Sequence, residues 1–121
     1  MGDDLTEQII SAAMEVHSIL GPGLLESIYE EALCCELALR GIPFKRQVAV
    51  DVIYKGHLIR GHKIDLLVFD EVVIEIKSLR ELPDIATAQV LSYLKATGLR
   101  RGLLINFGTA HLKNGIKRIS L

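Results

Sequence analysis

Cysteine is scarce in this chain, and its placement removes the structural roles it most often serves. The two residues, Cys34 and Cys35, are adjacent in a helix-like stretch. Neighbouring side chains on a helix diverge, so a disulfide between them is unfavourable. A lone pair also lacks the second pair of ligands a zinc site needs. Both read as reduced core or near-core thiols. Histidine offers no metal site either, because His17, His57, His62 and His111 show no paired ligand spacing. His17 falls on or near the packed face of the first helix, as a satisfied core histidine; His62, close to Asp65, is within reach of a phosphate. Long apolar runs are missing: hydrophobic residues make up 50% and mean hydropathy is +0.33, yet no stretch approaches the roughly 18 uninterrupted residues of a membrane span. The acidic opening Met1-Gly2-Asp3-Asp4 lacks a signal pattern, and the expectation is a soluble, cytoplasmic protein. Gly21-Pro22-Gly23 lacks the Lys-Ser/Thr end of a phosphate loop. With no repeat, low-complexity tract or linker, residues 1–121 are expected to form a single domain, burying roughly two-thirds of its unfolded surface.

Net charge is −1, which gives no bulk attraction to nucleic acid. Its distribution is uneven. Cations gather at Lys45/Arg46, Lys55, Arg60/Lys63, Arg100/Arg101 and Lys113/Lys117/Arg118, and acids in the first 36 residues and between 65 and 84. Basic patches are therefore available to phosphates, although ordinary solvated surface accounts equally well for any one of them.

Leu5, Ile9, Ala13, Val16 and Leu20 recur at helical intervals, and Gly21-Pro22-Gly23 ends that helix. A second helix is predicted from about Leu24 to Leu39, closed by Gly41 and Pro43. Alternating and β-branched residues then predict strands over 47–54, 58–69 and 72–77, three antiparallel strands with Asp70-Glu71 near a hairpin tip. Pro83-Asp84 opens a third helix that stops at Gly98, and short strands follow at 102–107 and 116–119. The order ααβββαββ implies an α/β sandwich.

Within the strand Val72-Val73-Ile74-Glu75-Ile76-Lys77, Glu75 and Lys77 lie two apart and share a face. Burying both charges in hydrocarbon is expensive unless they are paired or hold a ligand. A simple Glu–Lys pair at the sheet edge is the structural alternative. Asp65 interrupts a second apolar strand, so two acids point toward one place. Asp65 lies opposite Glu75 only if the intervening loop is centred on Asp70; a two-residue Asp70-Glu71 turn would put Asp65 opposite Ile76. Two carboxylates about 5 Å apart repel by roughly 3 kcal/mol at an effective dielectric near 20, so they share either a proton or a cation. An oxygen-only donor set suggests Mg²⁺ or Mn²⁺. Lys77 can then orient or deprotonate a water and offset charge building on a phosphate, which points to phosphodiester hydrolysis.

Asp65, followed after nine residues by Glu75-Ile76-Lys77, resembles the D…ExK signature of PD-(D/E)XK nucleases. Ile64 stands where the superfamily's name has proline. Gln89-Val90-Leu91-Ser92-Tyr93 resembles the Q-x-x-x-Y element of the branch with lambda-type exonucleases and RecB-like nuclease domains, its two polar residues one helical turn apart. Upstream, Gly23-Leu24-Leu25-Glu26-Ser27-Ile28-Tyr29 is similar to the motif of the GxxExxY protein family in the same superfamily. That likeness extends to Leu20-Gly21-Pro22-Gly23, Tyr54-Lys55-Gly56 and residues 102–108. The resemblance implies a restriction-endonuclease-like core and a Mg²⁺- (or Mn²⁺-) dependent nuclease acting on nucleic acid, DNA first, with RNA left open. By it, Glu26, Asp65, Glu75 and the Ile76 carbonyl hold one or two metal ions, Lys77 positions water, and Gln89 and Tyr93 hold the lysine, the water or the substrate backbone. Without it, Glu26 is explained by the helix dipole and Tyr93 as a core aromatic. The rival reading is a nuclease-fold module that binds nucleic acid or a protein without cutting. A homodimer or larger complex fits so small a chain.

Overall fold

The computed structural model describes residues 4–121; the acidic opening at 1–3 lies outside them. Helices α1 (Asp4–Leu20) and α2 (Glu26–Leu39) precede strands β1 (Phe44–Tyr54), β2 (His57–Val68) and β3 (Val72–Lys77). Helix α3 (Ile85–Thr97) leads to β4 (Arg101–Asn106) and β5 (Ile116–Ser120). The expected order holds, with a one-turn 3-10 helix, Leu112–Gly115, added before β5. The five strands lie side by side in chain order, β3 and β4 parallel and the other pairs antiparallel. A parallel pair needs a crossover, and α3 supplies it.

Core residues sort into two layers. Ile9, Ala13, Val16, Leu33 and Leu37 of the helical hairpin pack on Leu66, Ile74, Ile76, Leu103 and Ile105 on one face of the sheet. Val90 and Leu94 of α3 pack on Val73 and Leu104 on the other. With both faces covered, β3 is buried from Val72 to Ile76, which is why it reads as a nearly unbroken apolar run. Cys34 is buried and Cys35 exposed, both unbonded. Burial pushes the Cys34 thiol up to about 11, so it stays protonated and inert. His17 is buried, with Nε2 2.9 Å from the Thr109 carbonyl oxygen. Among the described residues no helix is long and apolar enough to cross a membrane.

Helix α2 starts two residues later than its composition predicts, and Tyr29 is the reason. Its hydroxyl accepts the Leu24 N–H at 3.1 Å and donates to the Gly21 carbonyl, tying the Gly-Pro-Gly turn to the helix. Its ring stacks on Phe107, centroids 4.6 Å apart and planes 6° from parallel. Gly23 takes φ +100° in this loop, a conformation that favours glycine. Glu26 therefore becomes the first helical residue.

The β2–β3 connection settles the register. Phe69 and Asp70 are both left-handed, φ +55° and +54°, in a turn closed by Glu71 N–H to the Val68 carbonyl at 3.0 Å. Glu71 is the extra residue. Val68 pairs with Val72, Leu67 with Val73 and Leu66 with Ile74. The loop is thus centred on Asp70, and continuing this register sets Asp65 across from Glu75.

Candidate active site

The acids stand where the sheet divides. Pairing of β2 with β3 ends at Leu66 and Ile74, whereas β2 stays paired with β1 through Ile64 and beyond. At the same level the β1–β2 ladder skips Gln47, which has φ +51°. The two strands roll over there together: Leu66 and Val68 face the α1/α2 layer, but Ile64 and Val50 face the α3 layer. A fork opens between β2 and β3, with Asp65 on one tine and Glu75 on the other.

Each carboxylate is held differently. Asp65 replaces a missing ladder partner, since its Oδ2 accepts the Ile76 N–H at 2.8 Å. Its Oδ1 receives a longer bond from Gln47 Nε2 at 3.4 Å. Glu75 is only 4% exposed, and its Oε1 has no hydrogen-bond partner. Its Oε2 lies 3.4 Å from Lys77 Nζ. Burial, then the Asp65 charge, push the Glu75 carboxyl up to about 7, against the pull of Lys77. Asp65 is raised too, by burial first and then by Glu30, with the Ile76 and Gln47 bonds opposing. A buried carboxylate with one orphan oxygen beside a second acid costs energy that a cation would recover. The residues present therefore fit a hard divalent ion, although among the described residues no three acidic, histidine or cysteine side chains already stand in ready metal-holding geometry.

Helices reach the fork from both sides. Glu26, exposed in the first turn of α2, has its carboxyl raised by burial and by Asp65 and Glu30, and lowered by Lys77. On the α3 side, Gln89 Nε2 donates to the Tyr93 hydroxyl at 3.0 Å. Burial and the charges of Glu75 and Asp65 raise the Tyr93 hydroxyl, so it remains a proton donor. His62 meets the Tyr93 ring edge-on at 5.5 Å. Of the six expected side chains, Asp65, Glu75 and Lys77 stand at the fork, Glu26 and Tyr93 are near enough to feel its charges, and Gln89 joins them through the Tyr93 hydroxyl; Ile76 contributes its N–H.

Glu30 and Gln47 were not anticipated from the sequence. Glu30 is buried one turn beyond Glu26, and accepts from Arg46 Nη2 at 3.1 Å and from Gln47 Nε2 at 3.0 Å. Gln47 thereby links Glu30 to Asp65. The i,i+4 spacing of Glu26 and Glu30 was a usable signal; nothing local marks a left-handed glutamine inside a strand. Glu30→Ala should leave Arg46 only its pair with Glu31 and Gln47 only its longer bond to Asp65, and cost about 2 kcal/mol. It should also raise the metal concentration needed for half-maximal activity, which a purely structural loss would not. Thermal melts together with metal titrations check both.

The exit from β3 is fixed by Asn106. Its Oδ1 accepts the N–H groups of Leu79 (2.9 Å) and Gly108 (3.0 Å), and its Nδ2 donates to the Leu79 carbonyl at 3.0 Å. Ser78 Oγ donates to the Leu24 carbonyl at 2.6 Å. A Cβ on Gly108 would lie 2.2 Å from the Leu79 carbonyl oxygen. Gly108→Ala should therefore cost about 1–3 kcal/mol and displace the segment that follows Lys77, seen as a lower melting temperature and weaker activity.

No curated protein and no solved structure matches the chain significantly. A model of the PD-(D/E)XK nuclease superfamily does, over residues 3–119. The five-strand mixed sheet flanked by helices is consistent with the restriction-endonuclease-like fold of that group. Sequence match and architecture agree over nearly the whole length, and the chain belongs to the PD-(D/E)XK nuclease superfamily.

Proposed function

We propose that this chain is a divalent-metal-dependent nuclease that hydrolyses phosphodiester bonds, DNA before RNA, and that its 121 residues act as a single cytoplasmic nuclease-type domain. The observation that carries the reading is the buried Glu75 carboxylate with an orphan oxygen, set across the fork from Asp65. Asp65 and Glu75, with Glu26 and the Ile76 carbonyl, would hold Mg²⁺ or Mn²⁺. Bound there, the ion would offset charge building on the phosphate and make an attacking water easier to deprotonate. Lys77, held at the edge of Glu75, orients that water and opposes negative charge in the transition state. Tyr93 accepts from Gln89, which leaves its own proton to donate to the lysine's surroundings or the substrate backbone. Gly23, Glu26 and Tyr29 support assignment to the GxxExxY family, and Gln89 with Tyr93 supports kinship with the lambda-exonuclease and RecB-like branch.

Calorimetric titration with Mn²⁺ tests the site apart from any substrate. Wild-type protein should bind, and Asp65→Asn should bind at least about tenfold more weakly, since one of the three carboxylates proposed to hold the ion is lost. Equal affinity in both, or none in the wild type, would refute the site and favour a module that does not cut.

A further inference from the structure

Beyond the fork, β1 and β2 continue as a two-stranded ribbon that the nuclease chemistry leaves unexplained. A bulge between Val50 and Val52 shifts its register, after which Val52 pairs with Ile59, Ile53 with Leu58 and Tyr54 with His57. From Asp51 to Lys63 every residue except Val52 is exposed. At strand rise this outer part extends roughly 15 Å. It carries Lys55, Arg60 and Lys63 against one acid, Asp51. Among the described residues none of these three cations has an ion-pair partner, in contrast with Lys45, which pairs with Asp70, and Arg46, which pairs with Glu30 and Glu31. Tyr54 is 59% exposed and Lys55 Nζ lies 5.6 Å from its ring centroid. Ile53, Leu58 and Ile59 are about half exposed or more around them.

Unsatisfied cations alternating with exposed aromatic and aliphatic side chains suit a polyanion that also presents flat or apolar surface. The root of the ribbon runs directly into the fork, because Lys63 precedes Asp65 by two residues and His62 touches Tyr93. A two-stranded ribbon fits the major groove of a duplex, and an exposed tyrosine can stack an unpaired base. We infer that the β1–β2 ribbon is the nucleic-acid grip of this protein, with Lys55, Arg60 and Lys63 on backbone phosphates and Tyr54 against a base or sugar, feeding the strand toward the fork. The choice of nucleic acid over an acidic protein rests on the nuclease reading of the adjoining site. The ribbon is thus a binding element distinct from the acids that cut.

The test is fluorescence anisotropy with labelled single-stranded DNA, double-stranded DNA and RNA of equal length. The full chain is compared with a Lys55→Gln, Arg60→Gln, Lys63→Gln variant, in EDTA so that nothing is cut, over a series of salt concentrations. The substituted side chains are exposed, and unchanged melting temperature confirms the fold. Wild-type protein should bind at least one probe; the variant should bind it at least about tenfold more weakly, with a salt slope shallower by two to three units, since each duplex phosphate contact contributes about 0.9. Tyr54→Ser should weaken the single-stranded probe more than the duplex. Unchanged affinity and slope in the triple variant overturn the inference, as does absence of wild-type binding to all three probes. If Ile53→Ser with Leu58→Ser converts a wild-type dimer to monomer without altering DNA or RNA affinity, the ribbon is an arm between two copies and the inference falls. Ribbon-dependent binding without cutting in Mg²⁺ or Mn²⁺ would sink the nuclease reading while the grip stands; cutting with ribbon-independent binding would do the reverse.

Discussion

Glu75→Gln should reduce metal-dependent cleavage by at least about 10³-fold, a loss typical of removing a charged group from the centre of a site, and it should do so without unfolding the chain. The amide keeps the size and planarity of the carboxyl and removes its repulsion with Asp65, which together with burial raises the Glu75 carboxyl to about 7. Metal-free Glu75→Gln should melt no lower than wild type at pH 8. Lys77→Ala should be comparably inactive. Its ammonium is close to a single carboxylate oxygen, 3.4 Å away, so its removal leaves the core packing of β3 intact. Were Glu75 and Lys77 only an ion pair at a sheet edge, both substitutions would leave any cleavage unchanged. Steady-state rates and melting curves on the same preparations separate the two accounts.

In EDTA, the wild-type chain should lose stability between about pH 4.5 and 7. The sign follows from the direction of the shift. The folded Glu75 carboxyl is raised from 4.5 to about 7, so in that window the native state holds a proton that the unfolded chain has released. Stability must therefore fall as pH rises. A shift of that size corresponds to roughly 2–3 kcal/mol after allowance for screening at the open end of the fork. Asp65 and Glu26 are raised as well and act in the same direction. Mn²⁺ or Mg²⁺ should reverse the trend, since a ligand at a hundred times its dissociation constant adds about 2.7 kcal/mol and competes with protons. Urea melts at pH 5 and pH 8, with and without metal, read this directly. Glu75→Gln should flatten most of the dependence.

Periodicity made the element order legible, and the paired interruptions at Asp65 and Glu75 located the fork, because a charge inside a doubly covered strand is costly unless it is paired or holds a ligand. Parity left two turns open, and left-handed Phe69 and Asp70 provide the one centred on Asp70, which brings the two acids opposite. What the sequence hid lies in tertiary context. Gln47 takes φ +51° because β1 and β2 roll over together at the fork, a global twist with no local residue signal. The role of Asn106 depends on a backbone approach between Leu79 and Gly108 that no spacing rule anticipates. The later start of α2 comes from the Tyr29 hydroxyl, whose partners at Gly21 and Leu24 exist only once the loop has closed. Glu30, by contrast, could have been read from its position one turn after Glu26.

The central claim, that the fork is a metal-dependent phosphodiesterase centre, is tested most directly by cleavage of labelled single-stranded, double-stranded and branched DNA, and of RNA, in Mg²⁺ and Mn²⁺, with Lys77→Ala purified identically alongside. The account predicts cutting of at least one substrate that requires the metal and vanishes in the variant. Absence of cutting on every substrate, or equal cutting by wild type and Lys77→Ala, would contradict it.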